Sequence, residues 1–277
     1  MTCAPVCPIS QIKMILLATD GSQYSEGAVR EAIAFAKKCS SRLEVLSVIE
    51  TNPEYESGSL NALEKEEAEA KKHMESVKAR AAKEGVAAIT SIHEGDEPHQ
   101  MIVDEATATK ADMIIIGRRG RKGLAKFLMG EVAAQVIGHA PCKVLVVPRA
   151  AKIAFKTLLV ATDGSAHSEA AVDQAVGIAK CSESTLIALS AARDEGEIPE
   201  AQRLANKVVD RCVKENVAAE AVTPIGRSFN AIVETAGGRG VDLIVMGMPG
   251  KTGLRRALAG SATEKVIGSA GCAVLVI

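Results

Sequence analysis

The sequence predicts an α/β protein of two tandem doubly wound domains, each a five-stranded parallel sheet flanked by helices. Three observations carry this expectation. The chain is written twice: Ala18–Ser22 reads Ala-Thr-Asp-Gly-Ser and recurs letter for letter at Ala161–Ser165, Met113–Gly117 resembles Leu243–Gly247, and Cys142–Val146 resembles Cys272–Val276. Such a repeat decides the architecture before any single element does. Within each copy, apolar runs alternate with segments of helical spacing, which implies a parallel sheet with right-handed crossovers. The chain has 277 residues, 47% of them hydrophobic and 24% charged, which suits two globular domains and argues against disorder.

The elements follow in order. Lys13–Ala18 and Lys156–Ala161 are nearly continuous apolar runs, as expected of strands covered on both faces. Helices follow near 23–39 and 166–181, with Val29 and Ile33, or Val172 and Val176, at helical spacing and Ser22 and Ser165 as N-caps. Leu43–Val48 and Leu186–Ala191 are second strands. A helix near 60–84 puts Leu60, Leu63, Met74, Val77 and Ala81 on one face and stops at Gly85; its counterpart starts at Pro199 and stops near Asn216. Strands near 86–92 and 217–223, short helices, and the strands Asp112–Gly117 and Asp242–Gly247 come next. Last helices then lead into Val144–Val147 and Val274–Ile277. The copies run over 12–149 and 152–277, giving domains 1–150 and 151–277. Asp163 lies 143 places after Asp20 but Gly260 only 130 after Gly130, so the first copy carries an insertion, mostly between Thr51 and Met74. The join at 148–152 is too short for a flexible linker, and the units are expected to pack directly.

Composition narrows the function. Lys plus Arg number 33 and Asp plus Glu 34, a net charge of −1, so no global field draws the chain to nucleic acid or anionic lipid. Aromatics are 2% with no Trp, too few for a base-stacking platform. Apolar runs such as Met113–Ile116 fall far short of the roughly 20 residues of a membrane span. No signal peptide is visible, and the 7 Cys do not suggest a secreted disulfide framework. A cytoplasmic protein is expected.

In doubly wound sheets ligands bind beyond the carboxyl ends of the strands. That rule points to Asp20, Val48 and Gly117, and to Asp163, Ala191 and Gly247. The most specific chemical signal lies after the fourth strand of the second copy: Gly247-Met-Pro-Gly250, nine residues, then Gly260-Ser261 opening a helix. Glycines let the backbone approach an anion, and free amides at a helix start bind phosphate with help from the helix dipole. Ser261 adds a hydroxyl, and Lys251, Arg255 and Arg256 add charge. The first copy has Gly117-Arg-Arg-Gly120 and Gly130, with Arg118, Arg119, Arg121, Lys122 and Lys126, but Glu131 stands where the second copy has Ser261. A carboxylate there occupies or repels the place of a phosphate, so the first loop reads as degenerate. The competing structural role is that the glycines make turns and that Asp20 and Asp163 bond their own backbone.

These residues resemble the universal stress protein family in its tandem form. The likeness rests on the repeated Ala-Thr-Asp-Gly-Ser and the Gly-x2-Gly-x9-Gly-Ser loop, and covers both copies. It implies two Rossmann-like domains that bind an adenine nucleotide, ATP or AMP, with Mg as companion ion, no redox cofactor, and a role in stress response or signalling. Carried over, it assigns Asp163, Ala191, Gly247, Gly250, Gly260, Ser261 and the backbone of Ala262 to the nucleotide. In the first copy it assigns Asp20, Val48, Gly117, Gly120 and Gly130. It also implies pairing of terminal strands, here within one chain as a pseudo-dimer, with a homodimer of chains a further expectation. Catalysis is expected to be weak or absent, with a slow ATPase or a non-binding scaffold as alternatives. His93 and His99 flank acids without a full metal-ligand set; Cys3 and Cys7 read as spare thiols, while Cys142 and Cys272 read as small core residues.

Overall fold

The computed structural model describes residues 7–9, 12–51, 60–120, 129–248 and 262–277. The chain divides into two compact units, one holding described residues 12–120 and 130–149, the other 150–248 and 262–277.

The first unit runs β1 (Met14–Ala18), α1 (Glu26–Cys39), β2 (Arg42–Glu50), α2 (Leu60–Lys83), β3 (Ala88–Gly95), α3 (Pro98–Ala108), β4 (Met113–Gly117), α4 (Glu131–His139) and β5 (Lys143–Val147). Its strands lie in the order β3-β2-β1-β4-β5, every pair parallel. The second unit repeats this as β6 (Thr157–Ala161), α5 (Ala166–Ser182), β7 (Thr185–Leu189), a 3-10 turn (Glu195–Glu197), α6 (Ile198–Lys214), β8 (Ala219–Val222), α7 (Ser228–Gly238), β9 (Leu243–Met246), α8 (Ala262–Ser269) and β10 (Ala273–Val276). Its order is β8-β7-β6-β9-β10, again parallel. In each unit the strand order reverses between the first strand and the fourth, and there the crevice opens.

Central strands are apolar throughout because both faces are covered. All five residues of β1 are buried, and Leu16 and its counterpart Leu159 are fully so; each such leucine contributes about 2 kcal/mol. The strand starts are clamped by an acid just before the fourth strand. Asp112 accepts from the amides of Lys13 (2.7 Å) and Met14 (2.9 Å), and Asp242 from those of Phe155 (3.0 Å) and Lys156 (2.8 Å). A buried serine repeats too: Ser41 donates to Ile12 O at 2.7 Å and Ser184 to Phe155 O at 2.6 Å. These polar clamps lie at the end of the sheet away from the crevice.

Helices α2 and α6 bury Met74, Val77 and Ala81, and Ala205, Val208 and Cys212. They end before Gly85 and Asn216, both in the left-handed region at φ 76° and 57°, which terminates a helix at low cost for these two residue types. Matching the two buried faces gives an offset of 131 at Met74 and Ala205, against 143 at β1 and β6. Nearly all of the insertion therefore lies between the end of β2 and Met74, shared between the connection, where 52–59 are outside the described residues, and the start of α2, which has 24 residues against 17 in α6. The side chain of Leu60 is also outside the described residues; Leu63 is half-buried.

Three expectations change. Ser165 caps α5, accepting from the amide of Ser168 at 3.3 Å, but α1 starts later and its N-cap is Ser25, not Ser22. Residues 22–25 instead form a turn closed by Ser25 N–H to Ser22 O at 3.2 Å. Cys7 is disulfide-bonded, as is Cys39, so Cys7 is not a spare thiol; spacing along the chain does not say which thiols meet in space, and Cys3 lies outside the described residues. Cys142 and Cys272 are half-buried, and burial pushes both thiols up to about 11.

Candidate functional site

The turn after the first strand is built the same way in both units. Thr19 and Thr162 extend the ladder by donating their amides to Leu46 O (3.0 Å) and Leu189 O (2.9 Å). The next acid then folds over its own backbone: Asp20 Oδ1 accepts from Ser22 N and Asp163 Oδ1 from Ser165 N, both at 3.0 Å. Between them Gly21 and Gly164 sit at φ 71° and 77°, a conformation that strains a side-chain-bearing residue. The local role weighed for both acids is thus real. The second oxygen of Asp20 faces the glycine loop: a Cβ placed on Gly120 would stand 3.1 Å from Asp20 Oδ2. Burial acts to raise the Asp163 pKa, but hydrogen bonds from Ser165 and Ser168 outweigh it and hold the carboxyl below its ordinary value. Asp163 is an anion at neutral pH.

The threonine hydroxyl organises the turn. In the first unit Ser25 donates to Ser22 O at 2.9 Å, and a carbonyl only accepts. Thr19 donates to Ser25 Oγ at 3.0 Å, while Gly21 N donates to Thr19 Oγ1 at 3.3 Å. Nε2 of His73, 3.0 Å from Thr19 Oγ1, must therefore be the donor to it, which assigns its proton. In the second unit Thr162 meets Gly164 N (3.2 Å) and Ser168 Oγ (3.3 Å), but the helix position of His73 is taken by Leu204. A Cβ on Gly164 would lie 2.9 Å from that leucine's Cδ2.

The predicted glycines converge in the first unit. A Cβ on Gly117 would press on Ser25 Cα (3.1 Å) and Tyr24 O (3.2 Å). One on Gly130 would press on Arg119 Cα (3.3 Å) and Arg118 O (3.4 Å), and come within 3.6 Å of Gly120 N. Gly130 N–H donates to Arg118 O at 2.9 Å, which closes the neck of the loop. Gly130 is the N-cap of α4 and offers no side-chain cap, so the first-turn amides are not claimed by one. Arg118 is half-buried; burial, then the neighbouring Arg119 charge, lowers its pKa. Glu131 is exposed and accepts from Gln135 Nε2 at 3.2 Å, lying along its own helix. In the second unit Gly247 packs like Gly117, with His167 O in the place a Cβ would take. Gly250, Gly260 and Ser261 lie outside the described residues, as do Arg121, Lys122, Lys126, Lys251, Arg255 and Arg256. Ala262 is the exposed first residue of α8.

An open cleft with about 310 Å³ of empty space lies beside the first turn, lined by Asp20, Ser47, Val48, Ile49, Glu50, Glu66 and Ala70. It brings Asp20 and Val48 together, as expected, and adds two acids that sequence reasoning missed. Their counterparts at offsets of 143 and 131 are Arg193 and Glu197. These two form an ion pair at 3.3 Å, and Glu197 also accepts from Arg193 N at 3.0 Å. The first cleft thus carries two carboxylates, and the corresponding positions of the second unit carry one carboxylate with an arginine against it. Ala191, two residues past the end of β7, is half-buried, as is Val48 near the end of β2. Among the described residues no group of three His, Cys, Asp or Glu side chains is placed to hold a metal ion, and no helix is long and apolar enough to cross a membrane.

A doubly wound sheet with an Asx turn after strand one and a glycine loop after strand four defines a class of α/β ligand-binding folds. The model of the universal stress protein family matches residues 11–148 and again 154–277, and the chain belongs to that family, with two of its domains in tandem. A universal stress protein of Synechocystis is 32% identical over 148 residues, 48% of this chain and 96% of its own. One of Methanocaldococcus jannaschii is 36% identical over 146 residues, 50% of this chain and 84% of its own. Across both repeats, the crystal structure of a universal stress protein from Archaeoglobus fulgidus covers 96% of this chain and 98% of its own, with a TM-score of 0.74 at 22% identity. Another solved member, 31% identical over 44% of this chain and 96% of its own with a TM-score of 0.39, is described as a complex with cAMP.

Proposed function

We propose that this chain is an adenine-nucleotide-binding protein of stress response or signalling, holding ATP or AMP mainly in its second unit, with Mg accompanying a triphosphate. The observation that carries the reading is the difference in charge at two corresponding positions of the units. Both units build the same Asp-Gly turn, but the first cleft is lined by two carboxylates, Glu50 and Glu66, while the corresponding positions of the second unit hold one arginine and one carboxylate, Arg193 and Glu197. A polyanion is favoured where the field is less negative. Glu131 at the start of α4, against Ser261 in the second copy, works in the same direction. Asp163 and Ala191 are assigned to adenine and ribose. Gly247, Gly250, Gly260, Ser261 and the Ala262 amide are assigned to phosphates, with Asp20, Val48, Gly117, Gly120 and Gly130 as their weaker counterparts.

Binding acts by shifting a population of conformers, to the extent that affinity differs between them. The domains are proposed at 1–150 and 151–277, in a cytoplasmic protein whose terminal strands pair within the chain; sedimentation reports whether chains also dimerise. Calorimetry with ATP, ADP and AMP on the wild type and on Gly250→Asp tests the reading. One main binding event, abolished by the substitution, is expected. Unchanged affinity contradicts the site, and ATP turnover above background moves the protein to the enzymes.

A further inference from the structure

The first unit carries a titratable cluster that the second replaces with uncharged side chains. Glu44 lies in the middle of β2 and is only 7% exposed. It pairs with Leu16 on one side and Ile89 on the other. Helix α3 packs on β2 and β3 and puts Glu105 close enough to Glu44 for its side chain and charge to act on it. His93 of β3 stands 3.6 Å from Glu105 through Nε2 and Oε2. Ser91, on the same face of β3, buries an Oγ that makes no hydrogen bond of normal geometry, although it lies close enough to act on Glu44. Arg42 on β2 is the nearby cation. Other charged groups of these elements turn elsewhere: Asp104 to Gln100, His99 to His139 on α4, and Glu94 to Lys71 and Glu67 of α2.

The second unit is an internal control. Ile187 holds the Glu44 place, pairing with Leu159, which corresponds to Leu16. Val222 pairs with Leu189 as Ser91 pairs with Leu46. Thr235, just before buried Ala236, corresponds to Glu105 before buried Ala106. Pro224, one place before the Ala192–Ile225 bridge, stands for His93. The same fold is thus made in the same chain without a titratable group at these four places. Buried polar clusters often add nothing to stability over well-packed apolar side chains, so folding alone does not call for this one.

We propose that Glu44, Glu105 and His93 form a proton-linked latch in the first unit: a proton held between the two carboxyls locks α3 onto β2 and β3, and its loss loosens α3. With the proton present, Glu44 donates to Glu105, whose charge faces His93. With it gone, two carboxylates meet in a largely dry place. Burial, then the Glu105 hydrogen bond and charge, pushes Glu44 up to about 7. The latch therefore holds fully at acid pH and is lost as pH rises through neutrality. It lies four residues along β2 from Val48, in the wall of the cleft, and stands independently of the nucleotide reading.

Hydrogen exchange by mass spectrometry on the full chain tests it, comparing peptides over 98–108 and 228–238 after correction for intrinsic rates. In the wild type, protection of α3 relative to α7 is expected to fall about tenfold between pH 6 and pH 8. Glu44→Gln removes that fall, and so does Glu44→Ile, which installs the side chain already accepted at position 187. Parallel behaviour of the two helices in the wild type overturns the proposal, as does a tenfold fall that persists in either variant.

Discussion

Replacing Thr19 by Val removes the hub of the first turn and leaves its shape. The hydroxyl engages Gly21 N, Ser25 Oγ and His73 Nε2 at 3.3, 3.0 and 3.0 Å, and Thr19 is 6% exposed. Each such bond is worth about 1 kcal/mol net, and orphaning a buried donor costs more than the bond itself. A loss of about 2–3 kcal/mol in the first unit is expected, or about 1–1.5 M in urea midpoint at a slope near 2 kcal/mol/M. Thr162→Val, which breaks only the contacts to Gly164 and Ser168 at 3.2 and 3.3 Å, costs about 1 kcal/mol less. The sequence supplies its own probe: with no Trp and 2 Tyr, Tyr24 and Tyr55, tyrosine fluorescence reports on the first copy alone, and circular dichroism reports on both. Combining Thr19→Val with His73→Leu, the leucine being the side chain at Leu204, completes a double-mutant cycle with an expected coupling of about 1 kcal/mol. Equal costs at Thr19 and Thr162 together with zero coupling refute the assigned role of His73.

Gly247→Ala is expected to destabilise the second unit by about 1–3 kcal/mol, read as a lower thermal midpoint, because the new methyl lands on His167 O and within 2.9 Å of Ser168 N. Alkylation at pH 8 is expected to reach exposed Cys181 while sparing Cys142 and Cys272, whose thiols titrate at about 11; mass mapping of the adducts checks the order, and sparing disappears only as pH approaches that value.

The architecture was legible because the chain states it twice. Ala18–Ser22 and Ala161–Ser165 are identical in letters and share the Asp-to-Ser turn bond, and the apolar β1 and β6 runs left little freedom in placing the sheet. Asp20, Asp163, Gly117 and Gly247 lie at or just beyond the carboxyl ends of their strands, where the strand-end rule looks. His73 was not legible: it is a lone histidine on a helix displaced by the insertion, and its meaning appears only once Leu204 is seen in its place. Glu50 and Glu66 were missed for the same reason, since 15 residues of sequence, part of them in the insertion, separate two side chains that line one cleft. Glu44 looked like any charged residue in a strand, because alternation does not tell which face a helix will cover. Ser22 misled because it occupies the letter of Ser165, while Ser25 three places later takes the cap.

Photolabelling with an azido-adenine ATP analogue, followed by peptide mapping, tests the central claim most directly. Adducts are expected in the second unit, around Asp163 and at Ala191 just past the end of β7, with protection by excess ATP. Equal labelling around Asp20 and Val48, or labelling that ATP does not suppress, contradicts it.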